Sequence, residues 1–180
     1  MRPSLALCAL LTAAPLWAGE NPLGRTSTGH AGDVLEFALP ATAAVAAVAH
    51  RDWEGARQYA MGAAGVLAVT YALKDAVEKE RPDGRSDNSF PSGHTAVAMH
   101  AASHLRRRYG LKWGIPAFVA ASYVGYSRVY DDRHHEDDVL VGAALGLLSA
   151  QFFTREYRGV RLSADVRPGF YGLRAQVRLP

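Results

Sequence analysis

Cysteine is almost absent from this 180-residue chain: Cys8 is the single one, and it falls inside an N-terminal apolar stretch. If that stretch is removed, no disulfide, thiolate nucleophile or cysteine-based zinc site remains to consider. No uninterrupted run of about 20 apolar residues crosses the sequence. Internal repeats and low-complexity tracts are missing as well. The aromatics, 9% of the chain, are not interleaved with basic residues as a base-stacking platform requires, which argues against a nucleic-acid partner. Disorder is excluded by 49% hydrophobic against 21% charged residues, and a second domain by length, since a domain takes roughly 150 residues.

What is present is unevenly placed. The formal net charge is +3, but Thr154 to Pro180 carries six arginines (155, 158, 161, 167, 174 and 178) against Glu156 and Asp165, so this tail is +4 and the remainder −1. A tail of this kind suits either contact with anionic headgroups or plain solvation. At the other end, Arg2, the apolar stretch Leu5 to Trp17 and a cleavage point at Ala18-Gly19 read as an export signal over 1–18. Leu16, three residues before the cut, is larger than such a site prefers, so an uncleaved anchor is the alternative. Leu7 before Cys8 excludes a lipoprotein signal.

Apolar, alanine-rich runs alternate with compact charged loops: Val34 to His50, Tyr59 to Leu73, Thr95 to Leu105, Trp113 to Tyr126 and Val139 to Phe153. They predict helices. Strand-like alternation appears only at 160–166 and 173–179 around Pro168-Gly169, which predicts a β-hairpin. The runs are short for membrane spans, and a mean hydropathy of −0.07 is near the soluble range. Charge placement points the other way. With the leader as a first crossing, the loops on the cytoplasmic side carry Arg51 and Arg57, then Arg106, Arg107, Arg108 and Lys112, then Arg155 and Arg158, with Trp53 and Trp113 beside them. This is the positive-inside pattern with its aromatic belt. The expectation is an all-α fold: a membrane-embedded bundle of five to six short helices with a C-terminal β-hairpin, the helical core at 33–153 and the basic tail at 154–180. A soluble periplasmic bundle is the alternative.

Three polar clusters fall in loops that this topology gathers on the outer face. In the first, Lys74 and Arg81 are seven apart, on one side of a helix if it continues to Glu80; Pro82 then turns the chain. In the second, Pro91-Ser92-Gly93-His94 precedes a helical run, with Ser92 suited to the N-cap and Gly93 permitting close approach of a ligand, so that free N–H groups face an anion. In the third, Ser127-Arg128 is followed by His134 and Asp138, four apart, so that the Asp138 carboxylate can accept the proton of one imidazole nitrogen and leave the other lone pair free. A metal site in the run His134-His135-Glu136-Asp137-Asp138 is disfavoured because consecutive ligands on a helix diverge. His30, His50, His100 and His104 read as structural or surface residues.

Together the clusters resemble the type 2 phosphatidic acid phosphatase superfamily, which also holds bacterial nonspecific acid phosphatases and vanadium haloperoxidases. The family's pattern is a lysine followed after six residues by Arg-Pro, then Pro-Ser-Gly-His, then Ser-Arg followed after five residues by His and after three more by Asp. All three pieces occur in order between Lys74 and Asp138. The resemblance implies that His134 attacks phosphorus and forms a phosphohistidine, that Asp138 orients it, and that His94 protonates the leaving alkoxide. It implies that Lys74, Arg81 and Arg128, with Ser92 and the Gly93 amide, cradle the phosphoryl oxygens. Three fixed cations then do what Mg²⁺ does elsewhere, so no metal and no cofactor are expected.

The implied function is a metal-independent phosphatase acting on phosphate monoesters or diphosphates, lipid-borne if the helices face lipid. Phosphatidate, phosphatidylglycerol phosphate, undecaprenyl diphosphate or a lipid A phosphate would each suit. It would sit in the inner membrane of a bacterial envelope with its site facing the periplasm. A soluble periplasmic acid phosphatase acting on small phosphate esters, a vanadium-dependent haloperoxidase and a non-catalytic anion binder are the alternatives.

Overall fold

The computed structural model describes residues 27–157, 160–167 and 170–177. The expected leader at 1–18 with Cys8, and the Pro168-Gly169 turn, lie outside the described residues. Five helices follow one another: α1 (Ser27–Ala49), α2 (Trp53–Ala76), α3 (Gly93–Tyr109), α4 (Leu111–Tyr130) and α5 (Glu136–Phe153). An antiparallel hairpin closes the chain, β1 (Val160–Arg167) with β2 (Phe170–Val177), paired from Val160↔Val177 to Arg167↔Phe170. The all-α bundle with its terminal hairpin is therefore the fold found. The second strand begins at Phe170 rather than 173.

Each helix outruns the apolar segment that announced it, because polar residues at the ends extend it. The helices contain 23, 24, 17, 20 and 18 residues; at 1.5 Å per residue α2 is about 36 Å long, more than the roughly 30 Å of a hydrocarbon core. Of the five, α1 is the one that is both long and apolar enough to cross a membrane on composition alone among the described residues.

The ends are set by specific groups. Asp52 caps α2 by accepting from Gly55 N at 2.9 Å. The same carboxylate takes both arms of Arg108, at 2.5 and 2.6 Å, and the Tyr109 hydroxyl at 3.1 Å. This buried bidentate pair joins the start of α2 to the end of α3 at the pole opposite the site. Gly110, at φ +90°, ends α3 and passes the chain into α4 without a spacer; the left-handed value suits glycine because it has no Cβ.

Helix α3 is central and packs against all four others, most extensively α5 and α4. Its inner surface is built from small residues, with Ala96, Ala98, Ala101 and Ala102 fully buried. Glycines on α5 let the two backbones approach: a Cβ on Gly142 would stand 2.3 Å from the Ser92 carbonyl oxygen, and one on Gly146 2.4 Å from that of Ala96. The start of α5, which carries Asp138, is thereby pressed against the Pro91–His94 segment. Buried among the alanines are polar residues, His100 and His104 included, with their rings against Tyr59. Large apolar side chains point outward instead: Val34, Val45, Leu111, Ile115, Val119, Leu140 and Phe152 are all at least 60% exposed.

Candidate active site

The three clusters meet at one end of the bundle. Helix α2 stops at Ala76 and Val77 is already extended, so the helix does not continue to Glu80 and the condition for Lys74 and Arg81 to share a helical face is not met. The chain pairs with itself instead: Lys79 N donates to Asp87 O and Ser89 N to Lys79 O, each at 2.9 Å, and Arg81 N donates to Ser86 O. Lys74 and Arg81 still converge, through Asn88 rather than through a helical face. Lys74 Nζ donates to the Asn88 carbonyl at 2.5 Å and Arg81 Nε to the Asn88 side-chain oxygen at 3.1 Å.

Ser92 occupies the N-cap position of α3, but its hydroxyl makes no capping bond to the backbone. It pairs with Thr95 Oγ1 at 3.0 Å, while Ser92 N donates to Asp138 O at 2.9 Å. Ser92, Gly93 and the following turn are buried, and His94 is partly buried at the rim. Its Nε2 donates to Glu36 Oε2 of α1 at 2.9 Å.

His134 and His135 part company. His134 is 3% exposed and its Nδ1 lies 2.7 Å from the Ser89 carbonyl. A carbonyl only accepts, so Nδ1 carries the proton and Nε2 the lone pair. Burial, reinforced by the charges of Arg81, Lys74 and His94, holds its pKa well below the ordinary imidazole value of 6.5. His135 is partly exposed and donates from Nε2 to the Glu80 carbonyl at 3.0 Å.

The expected His134–Asp138 hydrogen bond is corrected. The nearest carboxylate oxygen lies 3.9 Å from His134 Nδ1, beyond hydrogen-bond range. Asp138 is instead fully buried among three other donors. Its Oδ2 accepts from Ser89 Oγ at 2.5 Å and from His135 N at 2.9 Å, and its Oδ1 accepts from Lys79 Nζ at 2.8 Å. The reason is the segment 77–92, whose fold brings Ser89 between the two residues. The tautomer is fixed by a peptide carbonyl, and Asp138 holds the residue that supplies it.

Arg128 is 2% exposed and turned toward α1. Its Nη1 meets Asp33 Oδ1 at 2.8 Å, Nη2 meets Gly29 O at 3.1 Å, and Nε and Nη2 both reach Ser127 Oγ. Asp33, Glu36, Lys79, Asn88 and Ser89 were thus not anticipated from the motifs. For Glu36 a signal existed: it shares a buried stripe of α1 with Gly29, Gly32, Leu39 and Ala43, and a carboxylate inside an apolar helix marks function. Among the described residues, Asp33, Glu36 and His94 are the group that could hold a metal ion, with donor atoms within 4.8 Å of one another. Arg128 already neutralises Asp33 and His94 donates to Glu36, so a cation would displace both contacts.

Comparison with known proteins fits this geometry. The family model described as the PAP2 superfamily matches residues 55–160. A lipid A 4'-phosphatase of Helicobacter pylori is 31% identical over 154 residues, 78% of this chain and 77% of that protein. A lipid A 1-phosphatase of Porphyromonas gingivalis is 39% identical over 92 residues, 49% of this chain. The chain spans only about a fifth (21%) of that second relative's length. Among solved structures, a transmembrane PAP2-type phosphatidylglycerolphosphate phosphatase from Bacillus subtilis superposes with a TM-score of 0.57, at 28% identity and with 82% of each chain covered. The chain belongs to the PAP2 superfamily.

Proposed function

We propose that the protein is a metal-independent phosphatase of membrane lipid phosphates that works through a phosphohistidine. The observation that carries this reading is His134: buried, neutral, with Nδ1 tied to Ser89 O and two cations beside it. Its Nε2 lone pair attacks phosphorus while the ester P–O bond breaks, and the departing oxygen takes a proton from His94. Water then attacks the phosphohistidine, giving a proton back to the now neutral His94. The N–P bond breaks, phosphate leaves and both histidines return to their starting forms. Lys74, Arg81, Arg128, Ser92 and the Gly93 amide stabilise the phosphoryl oxygens, with the phosphoryl group sharing Arg128 with Asp33.

Several features support a lipid substrate and a membrane setting. The bundle turns its large aliphatic residues outward and keeps alanine, glycine, serine and histidine inside, the arrangement expected where lipid rather than water is the solvent. Arg51, Arg57, Arg106 to Arg108, Lys112 and Arg155 gather at the pole opposite the site, which favours a site facing the periplasm. The two relatives named for lipid A phosphatases favour a lipid phosphate as substrate.

The test is phosphate release by the detergent-purified protein with EDTA present, from a lipid A phosphate, phosphatidate, undecaprenyl diphosphate and a water-soluble aryl phosphate. Release from a lipid that is lost in His134→Ala is expected. Release confined to the aryl ester would make the protein a soluble-substrate phosphatase, and loss of all release in EDTA would contradict metal independence.

The rate should follow a bell-shaped pH curve, since attack requires neutral His134 and departure a protonated His94. Because burial and its cationic neighbours depress the His134 pKa, the acidic limb of kcat/KM lies below pH 6.5; a limb centred at 6.5 or above would contradict the buried assignment. Stability carries the same sign. The unfolded chain takes up a proton near pH 6.5 that folded His134 refuses, so folding weakens as pH falls below that value.

A further inference from the structure

The matched family region begins at residue 55, so α1 lies wholly outside it, yet α1 completes the site. Its buried face runs Gly29, Gly32, Glu36, Leu39 and Ala43. Gly32 lies so close to α4 that an added Cβ would stand 2.0 Å from Ser127 Oγ, and this contact sets how deeply the helix seats. One turn further on, Glu36 is 6% exposed and places Oε2 2.9 Å from His94 Nε2. A carboxylate buried this way is costly unless it is hydrogen-bonded or paired, and His94 Nε2 supplies a donor at 2.9 Å.

We propose that Glu36 is the positioning residue of the leaving-group acid: its carboxylate accepts the His94 Nε2 proton, fixes the ring, and stabilises the imidazolium whose Nδ1 proton passes to the departing oxygen. This rests on the phosphatase reading above. Glu36 touches neither phosphorus nor the leaving group; it acts through His94. The other charged and titratable groups around His94 are Asp33 on α1, with Arg128 of α4 bound to it, and His134 from the α4–α5 loop. Lys74 at the end of α2, Arg81 in the following loop and Asp138 on α5 lie around His134. Glu36 Oε2 stands within hydrogen-bond reach of His94 Nε2, at 2.9 Å.

The test compares Glu36→Gln with wild type on two esters, a short-chain phosphatidate and p-nitrophenyl phosphate, reading kcat/KM, which ends when the alcohol departs. An alkyl leaving group needs the proton and a nitrophenolate does not. The expected result is a loss of roughly 10²-fold on the phosphatidate and less than about threefold on the aryl ester. Glu36→Asp keeps the charge on a shorter arm and should also lose rate on the alkyl ester alone; it replaces Glu36→Gln if the latter does not fold. Equal losses on both esters, or no loss on either, would overturn the proposal while leaving the phosphatase reading intact. Absence of turnover by wild type on both esters and also on a lipid A phosphate and undecaprenyl diphosphate would instead overturn the parent reading.

Discussion

Replacing His134 with alanine is expected to lower phosphate release by about 10⁴-fold or more, whereas His135→Ala should stay within about threefold of wild type, because the first removes the proposed nucleophile and with it the proposed covalent path. Adjacent histidines make this a sharp comparison. His134 is enclosed, with Nδ1 on the Ser89 carbonyl and the charges of Arg81 and Lys74 acting on it. His135 turns its ring to the Glu80 carbonyl, and the contact it makes with the site, from its backbone N to Asp138, survives in alanine. Initial rates on one lipid phosphate measure both variants. Abolished turnover in His135→Ala with turnover retained in His134→Ala would reverse the assignment.

Asp138→Asn should lower kcat by about a hundredfold with KM within about threefold, since a charge-assisted hydrogen bond contributes about 1.5–3 kcal/mol and tenfold in rate corresponds to about 1.36 kcal/mol. The aspartate makes no hydrogen bond to His134, its nearest oxygen lying 3.9 Å from Nδ1. It binds Lys79, Ser89 and the His135 amide, and through Ser89 it fixes the carbonyl that sets the His134 tautomer. An asparagine amide cannot accept from all three donors. Ser89→Ala keeps the carbonyl and loses only the hydroxyl tie, so it should cost about tenfold. Combining the two should be distinctly less than additive because they act along one path. Fully additive losses would indicate that Asp138 acts on the imidazole directly.

How much of this was legible in the sequence depends on distance along the chain. Lys74, Arg81, Ser92, Gly93, His94, Arg128, His134 and Asp138 are legible through the resemblance of their motifs to the family pattern, and the structure collects them at one pole. The helices were visible as apolar runs, although their ends were not: polar residues such as Lys74 and Arg128 are helical because tertiary contacts receive them. The segment after Ala76 does not extend the helix, because the backbone pairing of Lys79 with Asp87 and Ser89 places Lys79 on Asp138, 59 positions away. No local pattern encodes that partnership. Asp33 and Glu36 were hidden for the same reason; their partners Arg128 and His94 lie 95 and 58 positions on, and only the stripe they share with Gly29 and Gly32 hints at their direction.

The measurement that tests the central claim most directly is rapid acid-free quenching of the wild-type protein during turnover of a lipid phosphate, followed by peptide mass spectrometry. The account predicts a phosphoryl group on the His134 peptide, stable in base, labile in acid and missing in His134→Ala. Phosphate release at the normal rate with no protein-bound phosphoryl group, or with that group on another residue, would contradict it.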